Sequence, residues 1–137
     1  MRQYKVGVVG ATGMVGQRFV SLLENHPWFT VVALAASARS AGKTYQETVQ
    51  DRWVMPTAIP SSCAGIVVQD AVADAKAIAE QVDFIFCAVD MKKEEIRDLE
   101  TLYAQLECPV ISNNSAHRWT PDVPMVIPEI NPEHLSV

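Results

Sequence analysis

Apolar residues recur along the chain in short runs that alternate with longer amphipathic stretches. The runs are rich in β-branched residues, as buried parallel strands are, and they cover residues 5–9, 30–36, 66–69, 83–89, 109–112 and 125–127. Apolar residues at helical spacing, or helix-forming composition, mark residues 13–26, 44–51, 71–81 and 91–106. This alternation predicts the α/β class, with a doubly wound parallel sheet and helices on both faces.

The first helical stretch shows which of its faces should be buried. One side carries four apolar residues, Val15, Phe19, Leu22 and Leu23. The opposite side carries four polar residues that we expect to face solvent, Gln17, Arg18, Ser21 and Glu24. The helix should end before Pro27, because the residue preceding a proline is disfavoured in the α region.

Three glycines, Gly10, Gly13 and Gly16, follow the first strand and open this helix. A strand, a glycine turn and a helix in this order bind the pyrophosphate of a dinucleotide. The first glycine permits the bend, the second lets backbone N–H groups reach the phosphate, and the third lets the helix pack closely. The helix N-terminus adds a partial positive charge. The pattern therefore predicts a Rossmann-type dinucleotide-binding fold.

The loop after the second strand indicates which dinucleotide binds. An acidic residue there selects NAD, whereas a basic, hydroxylated loop accommodates the 2′-phosphate of NADP. This loop has no Asp or Glu and carries Ser37, Arg39, Ser40 and Lys43. One charge-assisted hydrogen bond of about 1.5–3 kcal/mol corresponds to a roughly tenfold to hundredfold preference. We expect NADP as the cofactor; the alternative is an ordinary solvated loop.

Two further positions lie where ligands bind in such sheets, outside the carboxyl ends of the strands. Ala88 ends the strand at 83–89, and its small side chain leaves room in the cleft. Arg118 follows the strand at 109–112 and can bind a phosphate or carboxylate bidentately. His117 is the one histidine near this edge, which alone is weak evidence for acid–base chemistry. We interpret residues 44–65 as a loop-rich segment that packs onto the domain.

Composition excludes several classes of protein. The 137 residues suit one domain, and 49% apolar content supports a buried core. A net charge of −5 without a basic stripe argues against nucleic acid as a partner. No apolar run has membrane-spanning length, and no signal peptide is apparent. The scattered Cys63, Cys87 and Cys108 suit a reducing cytoplasm and indicate no metal site, and Cys87 reads as a core residue.

Four stretches together resemble the aspartate-β-semialdehyde dehydrogenase family, in its archaeal and fungal-like branch. They are residues 10–17 (GATGMVGQ), 37–43 (SARSAGK), 112–118 (SNNSAHR) and 123–131 (VPMVIPEIN). The glycine turn is shared by many folds, but the other three stretches are much more specific. The resemblance covers essentially the whole chain.

The resemblance implies NADPH-dependent reduction of L-aspartyl-4-phosphate to aspartate 4-semialdehyde and phosphate, an early step towards lysine, threonine and methionine. In the family a cysteine attacks the acyl phosphate, hydride reduces the thioester, and a histidine acts as acid–base. It implies that NADP is bound by Gly10, Thr12, Gly13, Met14, Val15, Ser37, Arg39, Ser40, Lys43 and Ala88. It also implies that Arg118 binds the phosphate of the substrate.

One departure from the family limits this expectation. The family's nucleophile lies in a Pro-Asn-Cys-Ser/Thr motif beyond the segment that matches Asn131, and none of the three cysteines here lies in that motif. We therefore assign no catalytic residue. We expect residues 1–137 to be the NADP-binding domain of a longer, homo-oligomeric cytoplasmic enzyme, and to bind NADP(H) without turnover. The family's returning C-terminal helix is absent too, which predicts an exposed apolar patch.

Other functions stay open beside this one. N-acetyl-glutamyl-phosphate reductase has the same chemistry and layout, although residues 37–43 and 123–131 favour the aspartate enzyme. A non-catalytic dinucleotide-sensing module is the second alternative. A short-chain dehydrogenase is disfavoured because it requires Tyr-x-x-x-Lys, and Tyr4, Tyr45 and Tyr103 lack a lysine four residues later.

Overall fold

Five parallel strands form one sheet in the part of the chain that the structure describes. A computed structural model describes residues 2–137, and Met1, the first residue of the predicted domain, lies outside the described residues. The strands are β1 (Tyr4–Val9), β2 (Phe29–Ala36), β3 (Gln69–Asp70), β4 (Phe84–Cys87) and β5 (Val110–Ser112). The helices are α1 (Met14–Leu22), α2 (Tyr45–Val49), α3 (Ser61–Ala64), α4 (Ala75–Gln81) and α5 (Lys93–Gln105), followed by a 3₁₀ helix at Pro132–Ser136.

The strand order is β3-β2-β1-β4-β5, with β1 in the centre. The chain runs from β1 outward to β2 and β3, then crosses back over β1 to add β4 and β5. Every pairing is parallel, and the order reverses between β1 and β4. The predicted doubly wound, Rossmann-type sheet is therefore confirmed, and its switch point lies at the carboxyl ends of β1 and β4.

Helices cover both faces of the sheet, as the continuous apolar strands require. On one face, α1, α2 and α3 pack against Val6 and Val8 of β1 and Leu34 of β2. On the other face, α4 and α5 pack against Val9 and Ile85. Alternate residues of the central strand thus enter two separate cores, because successive side chains point to opposite faces.

The first helix differs from its prediction. It begins at Met14 and ends at Leu22, well before the proline, and Asn25 adopts a left-handed conformation (φ 55°) in the turn that follows. The predicted outward face is also wrong at one position, because Gln17 is buried (2% exposed). Val15 and Leu22, predicted to be buried, are exposed. Gln17 is buried because its amide bonds to backbone groups of the glycine turn and of the segment 44–65.

Several other elements differ from the sequence-based boundaries. The strand expected at 66–69 is β3, at Gln69–Asp70, and Val67 forms only an isolated antiparallel bridge with Thr44. The helix expected at 71–81 begins at Ala75, and α3 was not predicted. Residues 125–127 form no strand, and the N–H groups of Met125 and Ile127 bond instead to the side chains of His134 and Asn131.

An apolar groove of about 560 Å³ lies on the sheet surface beside α1. Phe84, Phe86 and Ile111 line it, and Ile111 is 53% exposed. Tyr4 and Phe29, at the starts of β1 and β2, complete its lining. The groove is therefore an exposed apolar surface. Within residues 2–137, no helix is both long and apolar enough to cross a membrane.

Candidate functional site

The glycine turn, residues 10–16, lies at the switch point of the sheet. The N–H groups of Gly10 and Ala11 both donate to the carbonyl of Ala35 in β2, at 2.9 and 3.1 Å. On the other side, the N–H of Ala88 donates to the carbonyl of Val9 at 2.9 Å. The turn is thus held between the ends of β2 and β4, where this fold binds its ligands.

Two of the three glycines are required by internal packing. Gly10 has φ +86°, and a Cβ there would lie 2.5 Å from the carbonyl oxygen of Ala88. A Cβ on Gly16 would lie 1.9 Å from the carbonyl oxygen of Gly10. Both contacts are with backbone, which has little freedom to move. These two glycines let the helix and the neighbouring strand approach the turn closely.

Gly13 differs from the other two glycines. Its backbone is extended (φ −78°, ψ 172°), and a Cβ there would meet nothing in the chain closer than the carbonyl oxygen of Gly10 at 4.0 Å. It is the N-cap of α1, with no side-chain capping bond. Across residues 2–137, the N–H groups of Thr12 and Gly13 have no hydrogen-bond acceptor. Open space and free donors at a helix N-terminus suit an anion.

A cleft of about 550 Å³ opens directly beside this turn. The structure brings five of the predicted cofactor residues to its wall: Gly10, Thr12, Gly13, Ser37 and Ala88. The other five do not line it: Met14, Val15, Arg39, Ser40 and Lys43. Met14 and Val15 are exposed in the first turn of α1, next to the cleft. The cleft thus joins the ends of β1, β2 and β4 in one site.

The loop that was predicted to select NADP begins at the rim of this cleft. The N–H of Ser40 donates to the carbonyl of Ser37 at 3.0 Å, which closes a turn at 37–40. Arg39 and Lys43 are exposed, whereas Ser40 is only 6% exposed. The loop is held to the approach to β3 by a bond from the Gly42 N–H to the carbonyl of Val68, 2.8 Å.

Three charged residues that line the cleft were missed by sequence reasoning: Arg52, Asp70 and Asp90. Asp70 ends β3, a position that the strand-end rule can find once β3 is placed correctly. One of its carboxylate oxygens accepts the N–H groups of Val72 and Ala73, both at 2.9 Å, so it caps its own turn. Arg52 lies in the segment 44–65, where no sequence signal points to a ligand.

A second cleft, of about 630 Å³, lies along β5 and contains Arg118 and His117. A terminal guanidinium nitrogen of Arg118 donates to the carbonyl of Asn113 at 3.0 Å, and His117 Nδ1 bonds with Thr120 Oγ1 at 3.1 Å. Helix α5 holds this segment through Arg97, which donates to the carbonyl of Ala116 at 3.2 Å. Arg118 is thus oriented by its own loop, at a cleft separate from that of the glycine turn.

The model of the semialdehyde dehydrogenase NAD-binding domain family matches residues 5–137, almost the whole chain. The chain belongs to this family. The aspartate-semialdehyde dehydrogenase of Archaeoglobus fulgidus is 42% identical over 135 residues, which are 98% of this chain and 37% of that protein. The enzyme of the same name from Cryptococcus neoformans is also 42% identical over 135 residues, covering 98% of this chain and 36% of that protein.

A solved structure agrees with this membership of the semialdehyde dehydrogenase NAD-binding domain family. The crystal structure of Candida albicans aspartate semialdehyde dehydrogenase with NADP superposes with a TM-score of 0.88 at 38% identity, covering 98% of this chain and 36% of that one. The present domain therefore spans about a third of the length of its relatives. These relatives favour the aspartate enzyme over the N-acetyl-glutamyl-phosphate reductase alternative.

The cysteines of this semialdehyde dehydrogenase domain are core residues. Cys63, Cys87 and Cys108 are all free and buried. Burial, followed by the nearby carboxylate of Glu100, raises the pKa of Cys87 to about 12. Burial also raises the pKa of Cys63 and of Cys108. A protonated, buried thiol is a poor nucleophile, so the reading of Cys87 as a core residue agrees with the structure.

No group of three or more His, Cys, Asp or Glu side chains that is suited to bind a metal occurs in the part of the chain described, residues 2–137.

Proposed function

We propose that this chain is the NADP-binding domain of an aspartate-semialdehyde dehydrogenase, which reduces L-aspartyl-4-phosphate to L-aspartate 4-semialdehyde. One observation carries the proposal: the glycine turn at the switch point combines free N–H donors with open space at Gly13, in a chain of the semialdehyde dehydrogenase NAD-binding domain family. The names of its relatives supply the substrate class.

The residues of the first cleft fit a dinucleotide. The N–H groups of Thr12 and Gly13 and the first turn of α1 offer hydrogen bonds and a partial positive charge to the pyrophosphate. Ala88 also lines the cleft and leaves space for the ligand, because its side chain is a single methyl group. Met14 and Val15 lie at the start of α1 and contribute backbone N–H groups there. Arg52 adds a positive charge to the lining of the cleft, which also contains the carboxylates of Asp70 and Asp90.

NADP is proposed over NAD because of the loop that follows β2. Ser37 lies on the wall of the cleft, and the exposed Arg39 and Lys43 follow it within the same loop. A guanidinium can bind a 2′-phosphate through two parallel hydrogen bonds, whereas NADH offers only a hydroxyl there. Ser40 is buried, so its contribution is to shape the turn that presents Arg39, through its bond to Ser37.

The chain is proposed to bind cofactor without turnover by itself. A bound reduced nicotinamide supplies hydride, but none of the three cysteines has the exposure or the low pKa of a nucleophile. Arg118 is proposed to bind the phosphate group of the substrate from the second cleft. The chemical step then needs residues beyond those of this domain, in the remaining two-thirds of the length that the relatives have.

The remaining expectations stand as proposals with the same basis. The domain boundary at 1–137, homo-oligomeric assembly of the longer enzyme, and a cytoplasmic location follow from the resemblance and from three unpaired cysteines. A non-catalytic dinucleotide-sensing module is the competing function. It shares the cofactor site, and so it is distinguished by whether the longer protein reduces acyl phosphate.

The proposed cofactor is tested by titrating the 137-residue chain with NADPH and with NADH and following nucleotide fluorescence. We expect NADPH to bind more tightly, and Arg39→Ala to weaken NADPH binding about tenfold or more while leaving NADH binding nearly unchanged. Arg18→Ala is a matched control, because Arg18 is an exposed arginine on α1, outside the loop at 37–43 that follows β2. Equal losses for both nucleotides would remove Arg39 from the site.

A further inference from the structure

Two carbonyl groups of the glycine turn are held by buried side chains. The hydroxyl of Tyr45 donates to the carbonyl of Ala11 at 2.8 Å, and the Nε2 of Gln17 donates to the carbonyl of Thr12 at 3.0 Å. Tyr45 is fully buried and Gln17 is 2% exposed. Because burial raises the pKa of Tyr45, its hydroxyl keeps its proton and remains a donor. These bonds are independent of the strand hydrogen bonds that hold Gly10 and Ala11.

Gln17 also connects the turn to the segment 44–65. Its Nε2 donates a second bond to the carbonyl of Arg52 at 3.1 Å, and its Oε1 accepts the N–H of Val54 at 3.0 Å. Both donors of the amide and one acceptor position are therefore used. Trp53, between these two residues, packs perpendicular to the ring of Tyr45, at 6.3 Å between centroids. The segment 44–65 thus supplies a buried tyrosine that bonds to the turn, and backbone groups that bond to Gln17.

The orientation of these carbonyls fixes the orientation of the turn's N–H groups. In a planar trans peptide, the carbonyl of one residue and the N–H of the next point in opposite directions. The Ala11 carbonyl points at the buried Tyr45 hydroxyl, so the Thr12 N–H points away from the core. The Thr12 carbonyl points at Gln17, so the Gly13 N–H also points away. Neither of these two N–H groups has an acceptor within residues 2–137.

We propose that Tyr45 and Gln17 are positioning residues that hold the Thr12 and Gly13 peptides with their N–H groups directed at the cofactor pyrophosphate. The inference rests on the proposed function and deepens it, because it assigns the segment 44–65 a role in cofactor affinity. Without these two bonds either peptide can rotate, and a rotated peptide presents a carbonyl oxygen to the phosphate. Repulsion then replaces attraction at the same site.

Tyr45→Phe tests this proposal, because it removes one hydroxyl and keeps the packed ring. Tyr103→Phe is the matched control: Tyr103 is equally buried, and its hydroxyl donates to the carbonyl of Ala71 at 2.7 Å. Ala71 follows β3 on the lining of the same cleft, so this variant removes a buried hydroxyl near the site without removing a bond to the glycine turn. We expect similar losses in Tm for the two variants, but about tenfold weaker NADPH binding for Tyr45→Phe alone. Equal affinities in the two variants would overturn the positioning role.

A second measurement uses the wild-type chain and so does not depend on a variant that folds. Amide NMR during a titration with NADPH should show large shifts for the Thr12 and Gly13 N–H groups. Unchanged Thr12 and Gly13 signals at saturation would refute the proposal even if NADPH binds. Absence of NADPH binding by the wild-type chain would instead refute the proposed function, so the two failures are distinguishable.

Discussion

The substitution Gly13→Ala adds one carbon atom that we expect to impair ligand binding without impairing folding. Gly13 is the middle glycine of the turn, and it is the one whose added Cβ meets no close backbone neighbour. Its φ of −78° and ψ of 172° are values that alanine adopts without strain. The substitution therefore places a methyl group in the open space beside the first cleft and leaves the fold unchanged.

The expected stability change is small because two effects offset each other. Alanine loses less backbone entropy than glycine on folding, which stabilises by about 0.4–1 kcal/mol. Alanine is also a poorer N-cap than glycine, which costs a similar amount. Gly16→Ala is the contrasting variant, since its Cβ would overlap the Gly10 carbonyl oxygen at 1.9 Å and the Ala11 Cα at 2.7 Å. Its unfolding free energy should fall by several kcal/mol, on the order of the largest single-site effects.

Gly13→Ala should weaken NADPH binding strongly, although it changes the unfolding free energy little. In Gly13→Ala the methyl group occupies space that the pyrophosphate needs against the turn. Loss of two charge-assisted hydrogen bonds, at about 1.5 kcal/mol or more each, corresponds to a roughly hundredfold weaker affinity. Urea denaturation measures the stability and NADPH titration measures the affinity. A Gly13→Ala chain that binds NADPH like the wild type would refute the reasoning that this space is the phosphate site.

Two other predictions concern Arg52, which has no role in the sequence-based assignment, and Cys87, which that assignment places in the core. Arg52→Ala should weaken NADPH binding about tenfold, because one charge-assisted bond to a phosphate is lost, and unchanged affinity in a nucleotide titration would exclude Arg52 from the site. Because burial raises the pKa of Cys87 from 9.0 to about 12, the folded chain binds this proton more tightly than the unfolded chain. Stability should therefore decline as pH rises above about 9, and Cys87→Ala should lessen the decline in urea melts; a flat profile up to pH 11 would contradict this.

The sheet and the glycine turn were predictable because their signals are local. Continuous apolar runs marked β1, β2 and β4, and Gly10 and Gly16 occur at the spacing that close packing at the turn requires. The strand-end rule pointed to Ser37 and Ala88, and both residues line the cleft. Each of these inferences depends only on residues that are close together in the sequence.

The misplaced features depend on contacts between distant parts of the chain. Gln17 was assigned to solvent because glutamine is polar, yet its three bonding partners include Arg52 and Val54, more than 30 residues away. Residues 125–127 are apolar and β-branched like a strand, but side chains from the following turn bind their backbone groups. Hydrophobic periodicity contains no information about such tertiary hydrogen bonds.

The hydrogen bonds of Tyr45 and Gln17 also bear on how the binding site forms during folding. Tyr45 is separated from Ala11 by 34 residues, and Gln17 from Val54 by 37. Closing loops of this length costs conformational entropy before any contact is gained, so such contacts form after local structure. A chain fragment that contains only β1, the glycines and α1 would have the whole sequence motif. It would lack the hydrogen bonds that orient the backbone N–H groups of Thr12 and Gly13. Competence to bind a nucleotide is therefore acquired only when the segment 44–65 docks, later than the strand and helix that carry the glycines.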